Sequence, residues 1–586
     1  MSGSPGTGHP TSLLTDQYEL TMVAAALADG TAARRCTFEV FARRLPEGRR
    51  YGVVAGTGRL LDAVEAFRFG EAELERLGGI LGSEVLDWLA DYHFHGDIDG
   101  YPEGELYFPG SPILSVSGTF ADAVVLETLV LSILNHDAAV AAAAARMVTA
   151  AAGRPLIEMG SRRTHEEAAV AAARATYLAG FAATSNLEAG RRYGVPTAGT
   201  AAHAYVLLHD DELTAFRGQV AALGAKTTLL VDTYDIRAGI AHAIEAAGPE
   251  LGAIRIDSGD LGELARQARE QLDSLGATGT RIVLSGDLDE YAIAALRAEP
   301  VDTYGVGTSV VTGSGAPTAG LVYKLVEVDG RPVAKRSTSK ESRGGAKSAV
   351  RRFRPTGTAV EEVVHRRTSP VELGPHDRVV PVPLVRGGDR VDGLPRLEQS
   401  REHLRAALVS VPWEGLKLSR GEPAVAGGAT VAGAISGWLR STPYDHVVAT
   451  RDHHIDPGGH FSAEPGFVDT WPAHCRAGTP GASFHPDLDV APLEAVFDKG
   501  SFAAAYSGFE GHEPGGNTLR DWLVGRGVTD VHVAGIATDH CVRATALDAV
   551  AAGFTTTLLL HLCAGVRPDT TQKAIAEMRA AGVHVA

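Results

Sequence analysis

The sequence predicts an α/β chain of two domains, on three observations. From Pro155 onward, short apolar runs alternate with helical stretches and end in small polar or acidic clusters: IEMGSRR, TAGTAAH, LLVDTYD, IRIDSGD, IVLSGDLDE and YGVGTS. That rhythm is expected of successive βα units with parallel strands. A Gly- and Pro-rich stretch at Gly421–Gly428 then intervenes, and a second, shorter βα series follows it. At 586 residues the chain is also too long for a single core.

The elements follow in order. Thr15 to Leu27 suits a helix capped by Thr15, and Thr37 to Phe41 alternates as a strand. Leu60 to Phe67 and the Ala-rich Asp137 to Ala152 read as helices. The βα series, at about residues 155–330, suits a β/α barrel whose strand ends build one chemical face. Arg331 to Arg354 holds nine Lys or Arg residues and one acid, Glu341, and reads as a flexible basic flap over phosphates. Val379 to Leu394 reads as loop and strand, and Leu397 to Leu408 as a helix. In the second series, strands fall at Val447–Thr450, Leu493–Phe497, Val528–Ala534 and Thr555–Leu560.

Composition narrows the function. A net charge of −17 disfavours a nucleic-acid partner, which needs a basic face. The four cysteines, Cys36, Cys475, Cys541 and Cys563, are too scattered for a disulfide framework, which fits a reducing cytoplasm. Met1 to Thr11 lacks the apolar core of a signal peptide. Val124 to Leu134 is too short for a membrane span and contains Glu127, so no membrane association is expected.

The predicted strand ends carry the residue types that hold a charged sugar phosphate. Arg162, Arg163 and Arg255 suit a pyrophosphate, as do backbone N–H groups at Gly305-Val306-Gly307-Thr308. Asp257, Asp260, Asp287 and Asp289 suit ribose hydroxyls and a magnesium ion. Each piece is weak alone; their order along successive strand ends is what argues for a site.

From about Leu14 to Pro423 the chain resembles the nicotinate phosphoribosyltransferase family. The resemblance is carried by TDQYELTM, EMGSRR, TSN at Thr184–Asn186, GTAAH, VDTYD, IDSGDL, SGDLDE, YGVGTS and KRSTSKESRGGAK. It implies a type II phosphoribosyltransferase fold over residues 1–423: an incomplete β/α barrel with an α/β domain built from the N-terminal and later segments. It implies ATP-driven synthesis of nicotinate mononucleotide from nicotinate and phosphoribosyl pyrophosphate with Mg2+, in a homodimer. By the same resemblance, ATP phosphorylates His203, and Asp232 orients its imidazole. Arg162 faces the nicotinate carboxylate, and Tyr18 of the other subunit stacks on the base. Arg255, Asp257, Gly286, Asp287, Gly307 and Thr308 grip phosphoribosyl pyrophosphate. Met159 stands where many relatives carry an aromatic ring; Met–aromatic and aromatic–aromatic contacts are of similar size, about 0.3–1.5 kcal/mol, so the change tunes affinity. A transferase acting on nicotinamide is a rival reading, against which the Arg162-Arg163 pair favours the acid.

Residues 424–586 carry a second constellation. Asp452, His454 and His460 form a D-x-H-x5-H pattern just after a strand, suited to Zn2+ or Fe2+ with positions open to water. Cys541 follows another strand, where backbone N–H groups could form an oxyanion hole, and Lys499 is placed to lower its pKa. TRDHHIDPGGHFS, WPAHC, AGTPGASFHP, DKGSFAAAYSGFEG and GIATDHCVRATALDA resemble the nicotinamidases, which are isochorismatase-like cysteine hydrolases with a parallel sheet. The resemblance implies that Cys541 is the nucleophile, Lys499 activates it, and Asp452, His454 and His460 hold the metal. Trp471 then contacts the pyridine, and Ala537 and Cys541 N–H groups hold the oxyanion. One departure stands out. Such hydrolases open with a central strand bearing a catalytic Asp, whereas no Asp lies between Gly393 and Pro443 here. The apolar run Ala406 to Val411 offers a substitute strand. Two readings remain: a second activity deamidating nicotinamide to nicotinate, or a non-catalytic binding or assembly module.

Overall fold

The computed structural model describes residues 11–416 other than 47 and 336–341, and residues 428–586 other than 462–469, 472, 473, 476, 478–481, 483, 486 and 487. The chain divides into two compact units between Ser419 and Arg420. The boundary drawn at 423/424 from sequence lies in 417–427, outside the described residues.

The first unit contains a wholly parallel six-stranded sheet. In chain order its strands are Leu156–Glu158, Ala183–Thr184, Thr228–Leu230, Ala253–Ile256, Arg281–Ser285 and Thr303–Val306, arranged in space as second, first, sixth, fifth, fourth, third. The arc does not close, so the barrel is incomplete. Leu156, Leu229, Ile254, Ile256, Ile282, Leu284 and Val306 are buried in its core. Strands covered on both faces read as continuous apolar runs, which is why these were legible.

A second sheet, antiparallel and seven-stranded, lies in the same unit. Its spatial order is Arg331–Pro332, Leu321–Val328, Arg35–Ala42, Leu114–Thr119, Asp97–Gly100, Val382–Arg386 and Asp389–Arg390. The sequence extended the barrel to 330, but Leu321–Val328 pairs antiparallel with Arg35–Ala42. Its alternation of buried and half-buried positions is that of a strand covered on one face. The helix Glu127–Ala151 feeds both cores, through Leu129, Val130 and Ile133 on one side and Val140, Ala144 and Met147 on the other. The helical stretch Phe120–Ala151 is long and apolar enough to cross a membrane by composition, yet 67% of its apolar window is buried inside the protein.

The expected basic flap is partly regular structure. Lys347–Phe353 is a strand paired with Ala359–Arg366 and Arg378–Val379. Arg351 on it is buried against Glu105 and Glu362, so internal ion pairing rather than solvent takes up this charge. Residues 336–341 of the stretch lie outside the described residues.

In the second unit the parallel strands fall into two sheets, unjoined among the described residues. Val448–Asp452 pairs with Ala495–Lys499, and Asp530–Ile536, Thr555–Ala564 and His584–Val585 form the other sheet. The run Ala406 to Val411 supplies no strand. It falls largely in the helix Leu397–Ser410, whose Leu404 and Ala407 are buried in the barrel core of the first unit.

Candidate active sites

The barrel strands carry their polar clusters at one end, and Arg255 ties these together. Its Nε donates to Ser285 Oγ at 2.7 Å, one Nη to Thr200 Oγ1 at 3.2 Å, and the other to Asp257 Oδ1 at 2.8 Å. One guanidinium thus joins the GTAAH loop to the IDSGD and SGDLDE loops. Burial would raise the Asp257 carboxyl, but hydrogen bonds from Ser285 and Arg255 and the charges of Arg255 and His203 outweigh it and hold the group below the ordinary range.

His203 opens the short helix His203–Leu207. Its Nδ1 shares a hydrogen bond with Thr233 Oγ1 at 3.1 Å, and its Nε2 lies 3.8 Å from Asp232 Oδ1. That second distance is too long for a hydrogen bond. Thr233, which sequence reasoning passed over, therefore makes the imidazole's hydrogen bond. The other oxygen of Asp232 accepts from the Asp257 N–H at 2.8 Å and the Ser258 hydroxyl at 3.0 Å. The buried Asp232 carboxylate so couples the histidine loop to IDSGD.

Gly286 has φ +119°, and a Cβ there would lie 2.3 Å from the Asp257 carbonyl oxygen. Asp287 follows with φ +46°. The close approach of two loops therefore demands glycine at 286. Gly307 and Thr308 sit where the last barrel strand turns into a four-residue helix. Met159 packs there, its Sδ 2.8 Å from where a Cβ on Gly305 would be. Arg162 is exposed in the turn after Leu156–Glu158. Tyr18 is apart from this cluster, 46% exposed on the helix Gln17–Ala28. Its hydroxyl is pushed up to about 12 by burial and the nearby carboxylates of Glu127, Glu19 and Asp16.

In the second unit, Lys499 is buried beside Cys541. Its Nζ lies 3.5 Å from the Cys541 Sγ, donates to the Ala505 carbonyl at 3.0 Å, and is ion-paired with Asp452. Burial raises the Cys541 thiol, and the opposing pull of Lys499 and the Ala537 N–H does not overcome it. Lys499 thus pulls the thiol down, but burial outweighs that pull. Desolvation disfavours the thiolate more than one ammonium, itself shared with a carboxylate, favours it.

His454, His460 and His474 bring ring nitrogens within 4.8 Å of one another. His454 Nδ1–H donates to the Gly500 carbonyl at 2.6 Å, which leaves Nε2 buried with a lone pair and no hydrogen-bond partner. That tautomer is the one a metal-bound histidine takes, so the residues fit a metal. His474 was missed because it lies beyond the D-x-H-x5-H spacing; its only signal was its place in WPAHC. Asp452 closes to the same limit with His474 and Cys475. Trp471 is buried, donates from Nε1 to Tyr506 Oη at 3.0 Å, and meets the His540 ring edge-on at 5.1 Å.

Comparison with known proteins now decides the family. A nicotinate phosphoribosyltransferase of Mycobacterium tuberculosis is 66% identical over 432 residues, spanning 72% of this chain and 96% of that protein. This chain belongs to the nicotinate phosphoribosyltransferase family. It is an enzyme of that class. The nicotinate phosphoribosyltransferase (NAPRTase) N-terminal domain model matches residues 13–135. The crystal structure of human nicotinic acid phosphoribosyltransferase aligns at TM-score 0.61 and 25% identity, covering 70% of this chain and 96% of that one. Joined to this phosphoribosyltransferase is an isochorismatase domain, matched over residues 420–586. The nicotinamidase/pyrazinamidase of Mycobacterium tuberculosis is 53% identical over 180 residues, spanning 30% of this chain and 97% of that protein. That alignment is longer than 424–586, so it reaches back over the stretch where no strand forms among the described residues.

Proposed function

We propose that the first unit makes nicotinate mononucleotide from nicotinate and phosphoribosyl pyrophosphate, with Mg2+ on the pyrophosphate. The pyridine nitrogen of nicotinate bonds to the ribose C1 as the C1–O bond breaks and pyrophosphate leaves. The observation that carries this reading is Arg255, fixed by Ser285, Thr200 and Asp257 at the ends of the barrel strands. A cation locked in place there meets the leaving pyrophosphate without reorganising. Gly286, Asp287, Gly307 and Thr308 complete the grip, and Arg162 faces the nicotinate carboxylate. Tyr18, exposed on its helix, reaches the base of the partner subunit in a homodimer. The protein works in the cytoplasm.

ATP drives the reaction through His203. Thr233 engages Nδ1 and leaves Nε2 to attack the γ-phosphorus, an N–P bond forming as the P–O bond to ADP breaks. Asp232 supports the resulting charge. In His203→Ala, ATP-coupled turnover should fall by at least about 100-fold, roughly 2.7 kcal/mol of barrier, while circular dichroism is unchanged. ATP hydrolysis that persists and remains coupled would sink the role given to His203.

The second unit supports a second activity, deamidation of nicotinamide to nicotinate, through the 3.5 Å approach of Lys499 to Cys541. The Cys541 sulfur bonds to the amide carbon, ammonia leaves, and water releases nicotinate. Trp471 flanks the ring, and the Ala537 and Cys541 N–H groups receive the oxyanion. Asp452, His454 and His460, with His474 beside them, would hold a zinc or iron ion, which would supply Lewis acidity there. The parting of the parallel strands into two sheets among the described residues, with no Asp between Gly393 and Pro443, favours the rival reading of a non-catalytic module. Ammonia release from nicotinamide by the zinc- or iron-supplied chain, abolished in Cys541→Ala, supports the hydrolase. No release from protein that still converts nicotinate supports the module.

A further inference from the structure

We propose that Glu158, Thr184 and Asn186 are positioning residues for nicotinate: through a ring of hydrogen bonds they hold the turn Gly160–Arg163 and so aim Arg162. This rests on the reading that Arg162 faces the nicotinate carboxylate. It gives the TSN segment, Thr184–Asn186, a task in the reaction.

Strand register starts the ring. Glu158 and Thr184 end the first two barrel strands as direct partners, so their side chains leave the sheet on the same face. Both are fully buried. One carboxyl oxygen of Glu158 accepts from the Gly160 N–H, and the other from the Thr184 hydroxyl. That hydroxyl gives its one hydrogen to Glu158 and accepts the Asn186 N–H at 3.0 Å. The Asn186 side chain closes the ring. Its Nδ2 donates to Ser161 Oγ at 3.1 Å, while its Oδ1 caps the helix Leu187–Tyr193 by accepting from the Ala189 N–H at 2.9 Å.

The turn is closed by the Arg163 N–H on the Gly160 carbonyl at 2.8 Å, which puts Arg162 at its third position. Glu158 and Asn186 therefore grip the two residues just before Arg162. The turn also packs against the segment that follows the last barrel strand. A Cβ on Gly160 would lie 2.3 Å from Val311 Cγ1 and 2.9 Å from the Gly307 carbonyl oxygen. Backbone fixed in this way narrows the range that the exposed Arg162 side chain explores, which lowers the entropy lost when it meets a carboxylate. Burial raises the Glu158 carboxyl against the pull of its two neutral donors. A polar group kept there at that cost is in keeping with holding the turn.

The test uses the full-length chain and steady-state kinetics, with nicotinate and phosphoribosyl pyrophosphate varied in turn. Thr184→Val keeps the shape and removes the hydroxyl. KM for nicotinate should rise about tenfold, with kcat and KM for phosphoribosyl pyrophosphate within about twofold. Thr184→Ser should return the nicotinate KM to within about twofold of the parent's. Ser161→Ala removes the second tie at a half-exposed position, and reads the ring even if Thr184→Val unsettles the barrel. It should raise the same KM about threefold. On an Arg162→Ala background, Thr184→Val should change that KM by less than about twofold, because its effect runs through Arg162. A nicotinate KM unchanged in Thr184→Val or Ser161→Ala, equal rises in both KM values, or an undiminished effect on the Arg162→Ala background overturns the proposal alone. A nicotinate KM unchanged by Arg162→Ala itself overturns the reading of Arg162 along with it.

Discussion

Arg255 makes three hydrogen bonds to three different loops with one planar group. A lysine ammonium is a point charge on a flexible stem and cannot span Ser285, Thr200 and Asp257 together. Arg255→Lys should therefore lower kcat/KM for phosphoribosyl pyrophosphate by about 10- to 100-fold, the size of one or two charged hydrogen bonds, with the fold intact by circular dichroism. Steady-state kinetics checks it, and an unchanged kcat/KM would rule out a pyrophosphate role. The sequence named Arg255 and Asp257 because charged residues at strand ends are visible as types, and His203 through the resemblance to the phosphoribosyltransferase family. It did not name Thr200, Thr233 or Ser285, whose short hydroxyl side chains are indistinguishable from capping residues until the loops meet. His474 was hidden in the same way, by a spacing that only the folded loop makes close.

The helix Leu397–Ser410 was legible as a helix, but its partners were not. Arg401 points its guanidinium at the carbonyls of Tyr177, Gly180 and Phe181, where the helix Glu166–Ala179 ends. The Tyr177 carbonyl already accepts from the Gly180 N–H at 3.0 Å, and a cation at this helix end adds further donors and complements the helix dipole. Arg401→Ala should destabilise the first unit by roughly 1.5–3 kcal/mol, read as a lower urea midpoint for its unfolding transition. The same tie explains why Ala406 to Val411 does not serve the second unit as a strand. Its helix is already committed to the barrel through Leu404 and Ala407. Four strands of the second unit were placed from sequence to within a few residues and His584–Val585 was not, while the parting into two sheets among the described residues followed from pairing alone.

At the scale of the whole first unit, a buried ionic knot joins segments distant in sequence. Glu105 is fully buried and pairs with Arg351, Arg378 and His403. Burial would raise its carboxyl, but the His403 hydrogen bond and the charges of Arg351, Arg378 and His403 outweigh it and bring the group down to about 2. A carboxyl lowered from 4.5 to about 2 on folding contributes stability that is fully present above pH 4.5 and is lost as pH falls toward 2. The contribution is roughly 3 kcal/mol. Urea melts between pH 6 and pH 2 should show that acid limb, and Glu105→Gln should flatten it while lowering stability at neutral pH.

The sequence by itself determined the α/β class of each domain, the places of most barrel strands and of four strands of the second unit, and the residue types of several charged site residues. Those features depend on local periodicity and side-chain type, which the linear chain carries in full. The tertiary structure decided what depends on pairing and approach. It assigned Leu321–Val328 to the antiparallel sheet, turned Lys347–Phe353 of the basic stretch into a strand closed by Glu105 and Glu362, and set His474 beside His454 and His460. It also joined Lys499 to Asp452 and Cys541, and let burial outweigh the lysine's pull on the thiol. Desolvation and non-local contact arise only when distant segments exclude water together, and no window of sequence contains them.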